Sequence, residues 1–425
     1  MLFEDITILD ENLDVKEHQY VLTEGERITY IGDTCPDATG HKRYDGKNKL
    51  LMTAFINLHS HTPMTLMRGY GENLSLNDWL NKKIFPYEDK LTSEDVYHGT
   101  LLGIAEMLRF GIVSTSDMYY FCEDMLKAFL ESGAKVNLSR GITCFSDASY
   151  HDLPAYEENK LLIREYHGLN QDQIKIDMSI HGEYTNTERT ILEISEHAKE
   201  AGLPLHIHVS ETESEHKECM ARHNGMTPIE YFNHLGVLDS RVLAAHCVHL
   251  SGEDFAIMKE RNVSVASCPA SNLKLASGIC DVKKLMDYGI NVGIGTDSVA
   301  SNNSLNMIEE IKLFALLQKV RQNNPAVITP KEALYAATKA GAIAQGRPDC
   351  GALKVGNRAD LIVLDKKEPY WTPVHNLINN LVSSASGTDV CLTMADGKIL
   401  YQDGNFPTID VEKLARVQAL SQKEI

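Results

Sequence analysis

Apolar and polar positions change rhythm twice along the 425 residues. Up to about residue 53 they form short runs, such as Asp5-Ile6-Thr7-Ile8-Leu9 and 27–32, separated by turn residues. Runs of that kind predict the strands of a small β unit. From residue 50 onward, apolar runs alternate with longer amphipathic stretches. The runs cover 50–58, 110–116, 136–142, 174–180, 203–209, 242–248, 263–267 and 290–295. Helical periodicity fills the gaps at 93–109, 124–132, 155–167, 188–201, 227–235, 252–261 and 282–288. Strand–helix alternation implies parallel pairing through right-handed crossovers. Eight such repeats predict an α/β fold, a (β/α)8 TIM barrel. A doubly wound open sheet is the alternative, but no Gly-x-Gly-x-x-Gly follows the first run.

Beyond the eighth run, two helices are expected at 305–321 and 330–344. Short strands then return at 359–364, 390–394 and 398–401, with Asp396-Gly397 as a hairpin turn between the last two. The two chain ends share a character that the middle lacks. The expected organisation is a small β-sandwich domain built from residues 1–53 and 351–425, flanking a catalytic barrel of residues 54–350.

Composition narrows the partners more than the fold. The net charge of −18 argues against a nucleic-acid partner, which requires a basic face. No apolar run approaches the roughly 20 residues needed to cross a bilayer. The opening Met1-Leu2-Phe3-Glu4-Asp5 lacks a signal peptide's basic region and apolar core. The nine cysteines are scattered, with no Cys-x-x-Cys, which predicts reduced thiols and a cytoplasmic location. The remaining proportions are those of an ordinary globular chain.

The first long run ends in His59-Ser60-His61. Side chains at i and i+2 share one face of a strand, so two imidazoles stand together at a strand end. In isolation such a pair often does no more than hydrogen-bond to loops. Here the other runs add to it. Barrel active sites form at the carboxyl ends of the strands. At those ends stand Arg140 in the third run, His181 in the fourth, His208 followed by Glu211 in the fifth, His246 in the sixth and Asp297 in the eighth. Packing alone does not account for so many ionisable groups at one end. His59, His61, His208 and Asp297 make a set of three nitrogens and one oxygen that suits zinc, with Fe(II) or another divalent ion as alternatives. His206 shares a face with His208 one layer deeper and is assigned a structural role. Asp117, near the end of the second run, either faces the site or caps a loop. His216, His223, His234 and His249 are expected on the surface. Some metal barrels bridge two ions with a carbamylated lysine at the end of strand four. His181 stands there and Lys175 lies at the opposite end of that run, which favours one metal. No Walker A loop, Gly-x-Ser-x-Gly elbow or His-Glu-x-x-His is present, nor the paired signature of cytidine-type deaminases.

At these residues the chain resembles the amidohydrolase superfamily and, more narrowly, the 5′-methylthioadenosine/S-adenosylhomocysteine deaminases. The similar segments are INLHSHTPMTLMRG at 56–69, WLNKKIFPYEDKL at 79–91, HIHVSETE at 206–213, AHCVH at 245–249, CPASNLKLASG at 268–278, GTDSVASNN at 295–303 and GNRADLIVLD at 356–365. The chain departs from the family at Thr53-Ala54, where a Pro-Gly pair is usual, and at Ser298-Val299, where smaller residues are usual. The resemblance implies one zinc per subunit on His59, His61, His208 and Asp297. It implies substrate contacts from Glu88, Arg140, His181, Glu211 and Asp297, and catalysis by Glu211, His246 and Asp297. Glu88 rests on the resemblance alone, and Trp79 either lines the same loop or belongs to the core.

The implied reaction is hydrolytic deamination of a 6-aminopurine nucleoside (5′-methylthioadenosine, S-adenosylhomocysteine or adenosine) to the inosine analogue and ammonia. In it, zinc activates a water, Asp297 and His246 take its proton, and Glu211 protonates the purine ring nitrogen and relays a proton to the leaving ammonia. Alternatives on the same scaffold are a deaminase or chlorohydrolase acting on guanine, a pterin or a triazine, and a two-metal amide-ring hydrolase. A non-catalytic scaffold relative is a further alternative, though such a chain is expected to have lost ligands. The expected partner is the small-molecule nucleoside, with neither nucleic acid nor membrane, in a homo-oligomer.

Overall fold

The structure is a computed structural model that describes residues 1–420. The N-terminal segment forms β1 (Leu2–Leu9), β2 (Val15–Glu24), β3 (Arg27–Gly32), β4 (Arg43–Asp45) and β5 (Lys49–Thr53). The apolar run at 50–58 is therefore two strands, because β5 stops at Thr53 and β6 (Phe55–Ser60) begins after Ala54. The partners change at that residue. The Ala54 N–H donates to the Asp360 carbonyl at 2.9 Å, whereas the Phe55 N–H donates to the Gly111 carbonyl at 2.9 Å. Both strands are buried on both faces, so hydrophobicity does not mark the junction.

The barrel continues with β7 (Ile112–Tyr119), β8 (Lys135–Arg140), β9 (Ile174–Ile180), β10 (Leu205–Val209), β11 (Val242–His246), β12 (Ser264–Ser267) and β13 (Asn291–Ile294). From β6 to β13 these strands lie side by side in sequence order, and all the pairings are parallel. β7 runs three residues past the apolar stretch at 110–116. Its polar Ser114, Thr115, Ser116 and Asp117 are all buried, which hides the strand from a hydrophobicity pattern.

The β13–β6 seam is closed partly by a side chain. Asn57 donates through Nδ2 to Thr296 Oγ1 at 2.7 Å and accepts from the Thr296 N–H at 2.9 Å. The Asp297 N–H then donates to the His59 carbonyl at 2.9 Å. The close approach requires Gly295, where a Cβ would lie 2.7 Å from the His59 Cβ.

The helices at Ser93–Arg109 and Glu188–Ala201 have the bounds that periodicity predicts. The first is fixed by a capping box between Thr92 and Asp95. The stretch expected at 330–344 is two helices, Pro330–Ala336 and Lys339–Ala344, broken at Thr338. Two features were not expected. Helix Glu213–Arg222 follows β10, capped by Thr212 and Glu215. Short helical turns at Thr62–Met67, Leu76–Trp79, Leu80–Ile84 and Phe85–Glu88 carry the long loop after β6.

The C-terminal strands β14 (Leu361–Asp365), β15 (Val390–Ala395) and β16 (Lys398–Gln402) join the N-terminal ones in one mixed sheet. Its order is β16-β15-β14-β5-β1-β2-β3, with β4 beside β1. The sheet curls around a core that includes Phe3, Ile6, Leu51, Leu361 and Leu392. The Asp396-Gly397 turn lands on the β2–β3 turn, where a Cβ on Gly397 would sit 2.0 Å from the Gly25 carbonyl oxygen. Lys135, at the start of β8 and 1% exposed, ties this unit to the barrel through Asp360 at 2.6 Å and Asp396 at 2.8 Å.

Candidate active site

Four side chains converge at the carboxyl ends of β6, β10 and β13. His61 Nε2 lies 3.4 Å from His208 Nε2, and both His59 Nε2 and His61 Nε2 lie 3.5 Å from Asp297 Oδ1. The opposite edge of each ring is tethered. His59 Nδ1 meets His206 Nε2 at 2.9 Å, His61 Nδ1 donates to the Met118 carbonyl at 2.6 Å, and His208 Nδ1 donates to the His181 carbonyl at 2.6 Å. These contacts leave the Nε2 lone pairs facing inward, the orientation that a hydrogen bond on the far ring nitrogen imposes on metal-binding histidines. Asp297 is held by Ser271 Oγ at 2.6 Å, Ser301 Oγ at 3.0 Å and the Ser298 N–H at 2.7 Å. Ser298, which replaces a smaller residue of the family pattern, also caps the helix Val299–Asn302.

The titration behaviour matches that geometry. Burial, followed by the neighbouring imidazoles, holds His59 and His208 well below the usual histidine range, and pushes His181 and His206 down to about 3. Neutral imidazoles are the form that ligates cations. Burial opposes the Asp297 carboxylate, but His246, His61 and the Ser271 and Ser298 hydrogen bonds outweigh it and lower its pKa. His59 Nε2 is buried without a hydrogen-bond partner. An orphaned lone pair among two more imidazoles and a carboxylate fits a divalent ion of the zinc type.

Beside this group stand the two residues able to move protons. Glu211 Oε2 is 3.7 Å from His246 Nε2, and Ser277 Oγ donates to Glu211 Oε1 at 3.3 Å. Burial raises the Glu211 carboxyl, opposed by His246. Burial disfavours charge on His246, yet Glu211, Asp297 and the contact with Asn272 together raise it. His246 Nδ1 faces Asn272 Oδ1 at 2.9 Å, so Nε2 is the free acceptor of the neutral ring. Glu215 accepts the N–H groups of Ser210 and Glu211, both at 2.7 Å, and so anchors the loop that carries Glu211. Ser210, His246, Cys247 and Asp297 all adopt positive φ, between 48° and 70°. Left-handed backbone at non-glycine residues, concentrated at three strand ends, is the strain expected where a site over-determines its geometry.

A small chamber of about 60 Å³ is lined by His61, His181, His208, Glu211, His246 and Asp297, with Trp79 and Glu88 from the β6 loop. Arg140 is not on its wall. It lines a second cavity of about 710 Å³, where its Nε donates to Glu158 at 2.7 Å and its guanidinium lies over the Tyr120 ring at 4.8 Å. Phe85, Glu88 and Tyr120 line both spaces and form their common wall. Burial pushes the Glu88 carboxyl up to about 7, with the Tyr119 hydroxyl acting against it.

Asp117 has a loop role: it accepts from Ser60 Oγ and the Thr62 N–H, and burial raises its carboxyl to about 7. Lys175 donates to the Gly346 carbonyl at the other end of the barrel. Of the four histidines expected on the surface, His234 is exposed. His216 is instead buried between Ser210 and Ser251. His223 bonds Glu183 at 2.7 Å and stacks on Tyr231, and His249 bonds the Ser277 carbonyl at 2.7 Å. Helix Glu213–Arg222 and its neighbours cover these positions, and polar helical sequence gives no sign of that. Sequence reasoning also passed over Asn57, Ser271, Asn272 and Ser301, since small polar residues carry no periodic signal.

A model of the amidohydrolase family matches residues 50–400. A 5-methylthioadenosine/S-adenosylhomocysteine deaminase of Dictyoglomus thermophilum is 40% identical over 420 residues, covering 97% of this chain and 96% of that one. A 5′-deoxyadenosine deaminase of Methanocaldococcus jannaschii is 40% identical over 412 residues, covering 96% and 97%. The crystal structure of an adenosine deaminase from Xanthomonas campestris with bound zinc superposes with a TM-score of 0.92 at 29% identity, covering 99% of this chain and 97% of that one. With a family model across most of its length and relatives of this similarity along nearly all of it, the chain belongs to the amidohydrolase family.

Proposed function

We propose that this chain hydrolytically deaminates 6-aminopurine nucleosides, among them 5′-methylthioadenosine, S-adenosylhomocysteine and adenosine. The observation that carries this reading is one buried chamber in which three imidazole nitrogens and the Asp297 carboxylate converge beside an adjacent Glu211–His246 pair. Membership of the family and the deaminase relatives support a hydrolase of C–N bonds.

His59, His61, His208 and Asp297 are the proposed ligands of one zinc per subunit. A bound zinc supplies a water that is nucleophilic at neutral pH. Asp297 and His246 orient that water and take its proton. Attack falls on the purine carbon bearing the amino group. Glu211, whose carboxyl burial raises, donates a proton to the adjacent ring nitrogen and makes that carbon electrophilic. The deprotonated Glu211 then accepts the proton of the newly added hydroxyl and relays it to the departing ammonia, and the proton held by Asp297 and His246 passes back to Glu211. His181 borders the chamber as a neutral imidazole. Glu88, on the wall shared with the outer cavity, is placed to accept ribose hydroxyls, and Arg140 is assigned to the part of the substrate that reaches that cavity.

The same reading assigns residues 54–350 to catalysis and residues 1–53 with 351–425 to one flanking β unit; the shared mixed sheet supports this division. Solvent-facing Leu316 and Val320, one turn apart on the helix Met307–Arg321, support a homo-oligomer. The nine unpaired cysteines support a reducing, cytoplasmic setting.

Ammonia release from 5′-methylthioadenosine, S-adenosylhomocysteine, adenosine, 5′-deoxyadenosine and guanine tests the proposal. Turnover of the nucleosides and not of guanine is expected, and a preference for guanine overturns it. Glu211→Gln should keep its zinc on elemental analysis yet lose about 10²–10⁴ in kcat. Turnover like that of the parent would remove Glu211 from the mechanism.

A further inference from the structure

Away from the chamber, a second group of metal-ligating side chains comes together. A carboxylate oxygen of Glu183, the Cys219 sulfur and a ring nitrogen of His223 all lie within 4.8 Å of one another. Glu183 opens the short turn Glu183–Thr185 that follows β9. Cys219 stands near the end of helix Glu213–Arg222, and His223 caps that helix, its N–H donating to the Cys219 carbonyl at 2.9 Å. A spacing of four residues puts the thiol and the imidazole on one helix face, as in helical metal-ligand pairs. Each group is held in place. Arg222 grips the Glu183 carboxylate through Nη2 at 2.6 Å and Nε at 3.1 Å. Such hydrogen bonds orient the ligating carboxylates of metal sites. His223 stacks on Tyr231, with ring centroids 3.6 Å apart, and turns Nε2 toward Glu183 at 2.7 Å. Cys219 is fully buried, its thiol donating to the Met226 carbonyl at 3.7 Å. The His223 side chain is 20% exposed, which leaves a path for an ion and for a water at a fourth position.

We propose that Glu183, Cys219 and His223 bind a second divalent cation of the zinc type, apart from the ion proposed for the catalytic site. Thiolate and imidazole together select zinc or cobalt over magnesium and calcium. Burial raises the Cys219 thiol, so at neutral pH it keeps its proton until a metal displaces it. Binding forms the metal–sulfur bond and releases that proton to solvent. The imidazole binds through Nε2, with its one ring proton carried on Nδ1. None of the three residues lines the chamber. The ion would instead join the turn just beyond His181 to the helix just beyond Glu211, and so brace two loops that border the chamber. The site stands on its own geometry, whatever the substrate of the catalytic site.

The test loads the full-length protein with cobalt(II) in place of zinc by equilibrium dialysis. Two cobalt ions per subunit are expected, with a near-ultraviolet thiolate-to-cobalt charge-transfer band. The catalytic set of three nitrogens and a carboxylate contains no sulfur and cannot give that band. Cys219→Ser should lose the band and the second equivalent while keeping the first. His223→Gln leaves the buried thiol in place, and should weaken the second equivalent by about tenfold or more. One cobalt per subunit at saturation, or a second without the band, overturns the site and leaves a metal-free hydrogen-bonded cluster. A band that survives Cys219→Ser, or a second equivalent that His223→Gln does not weaken, overturns it equally.

Discussion

At the scale of single residues, the site depends on groups that act through others. His206 is fully buried, and among the described residues its Nε2 is the hydrogen-bond partner of His59 Nδ1. Removing such a partner typically weakens metal affinity by 10–100-fold. His206→Ala should therefore bind zinc about 10–100-fold more weakly in a chelator competition; unchanged affinity would make the contact incidental. Glu88 carries the pH behaviour. Its carboxyl sits at about 7, so the ionised form grows as pH rises through neutrality. In the proposed binding mode, ribose hydroxyls donate to the ionised form. KM should then fall by up to about tenfold between roughly pH 6 and pH 8, while Glu88→Gln should flatten that limb. A KM that rises with pH would contradict the assignment. Glu88 was visible in the chain only through family resemblance. Nothing in its local pattern separates a carboxylate under a folded-back loop from one in solvent.

At the scale of elements, the strand ends do the positioning. β6 and β13 approach closely enough for Asp297 to reach His59 and His61 only because Gly295 has no side chain. Gly295→Ala forces a Cβ to 2.7 Å from the His59 Cβ. Overpacking of that kind costs about 1–3 kcal/mol. The variant should show a lower Tm and reduced zinc content together; a lower Tm with full zinc content would separate the seam from the site. The strand–helix order was legible because each amphipathic stretch carries its own period. Element ends were less so. β7 continues through Ser114 to Asp117 because those polar side chains find buried partners inside the barrel, and partners across space leave no mark on hydrophobic periodicity.

At the scale of the whole molecule, a buried charge cluster is among the contacts that join the two chain ends to the barrel. Lys135 stands at the start of β8, and Asp360 and Asp396 belong to the flanking unit, with nearly all of this contact out of solvent. Breaking a buried pair by removing one partner costs about 3–5 kcal/mol, because the other charge stays buried and unpaired. Lys135→Met should lose about that much in urea unfolding. Adding Asp360→Asn should recover part of the loss, and an additive double variant would show that the pair is not coupled. The packing of the two ends against each other was expected from their shared short-strand character. The ion cluster that joins them to the barrel was not, since its members lie about 225 and 261 residues apart.

Local periodicity was enough to set the kinds of element, their order and the end of the barrel at which His59, His61, His208, Glu211, His246 and Asp297 stand. Those properties depend on residues a few positions apart, where side-chain direction follows directly from strand or helix geometry. Only the folded chain decided which nitrogen of each imidazole faces inward, how Glu88 is brought over the chamber, and why Arg140 lines the outer cavity instead. Each of these depends on contacts between segments remote in sequence, and a hydrogen bond from a distant carbonyl or carboxylate is what turns a ring or guanidinium to one side or the other.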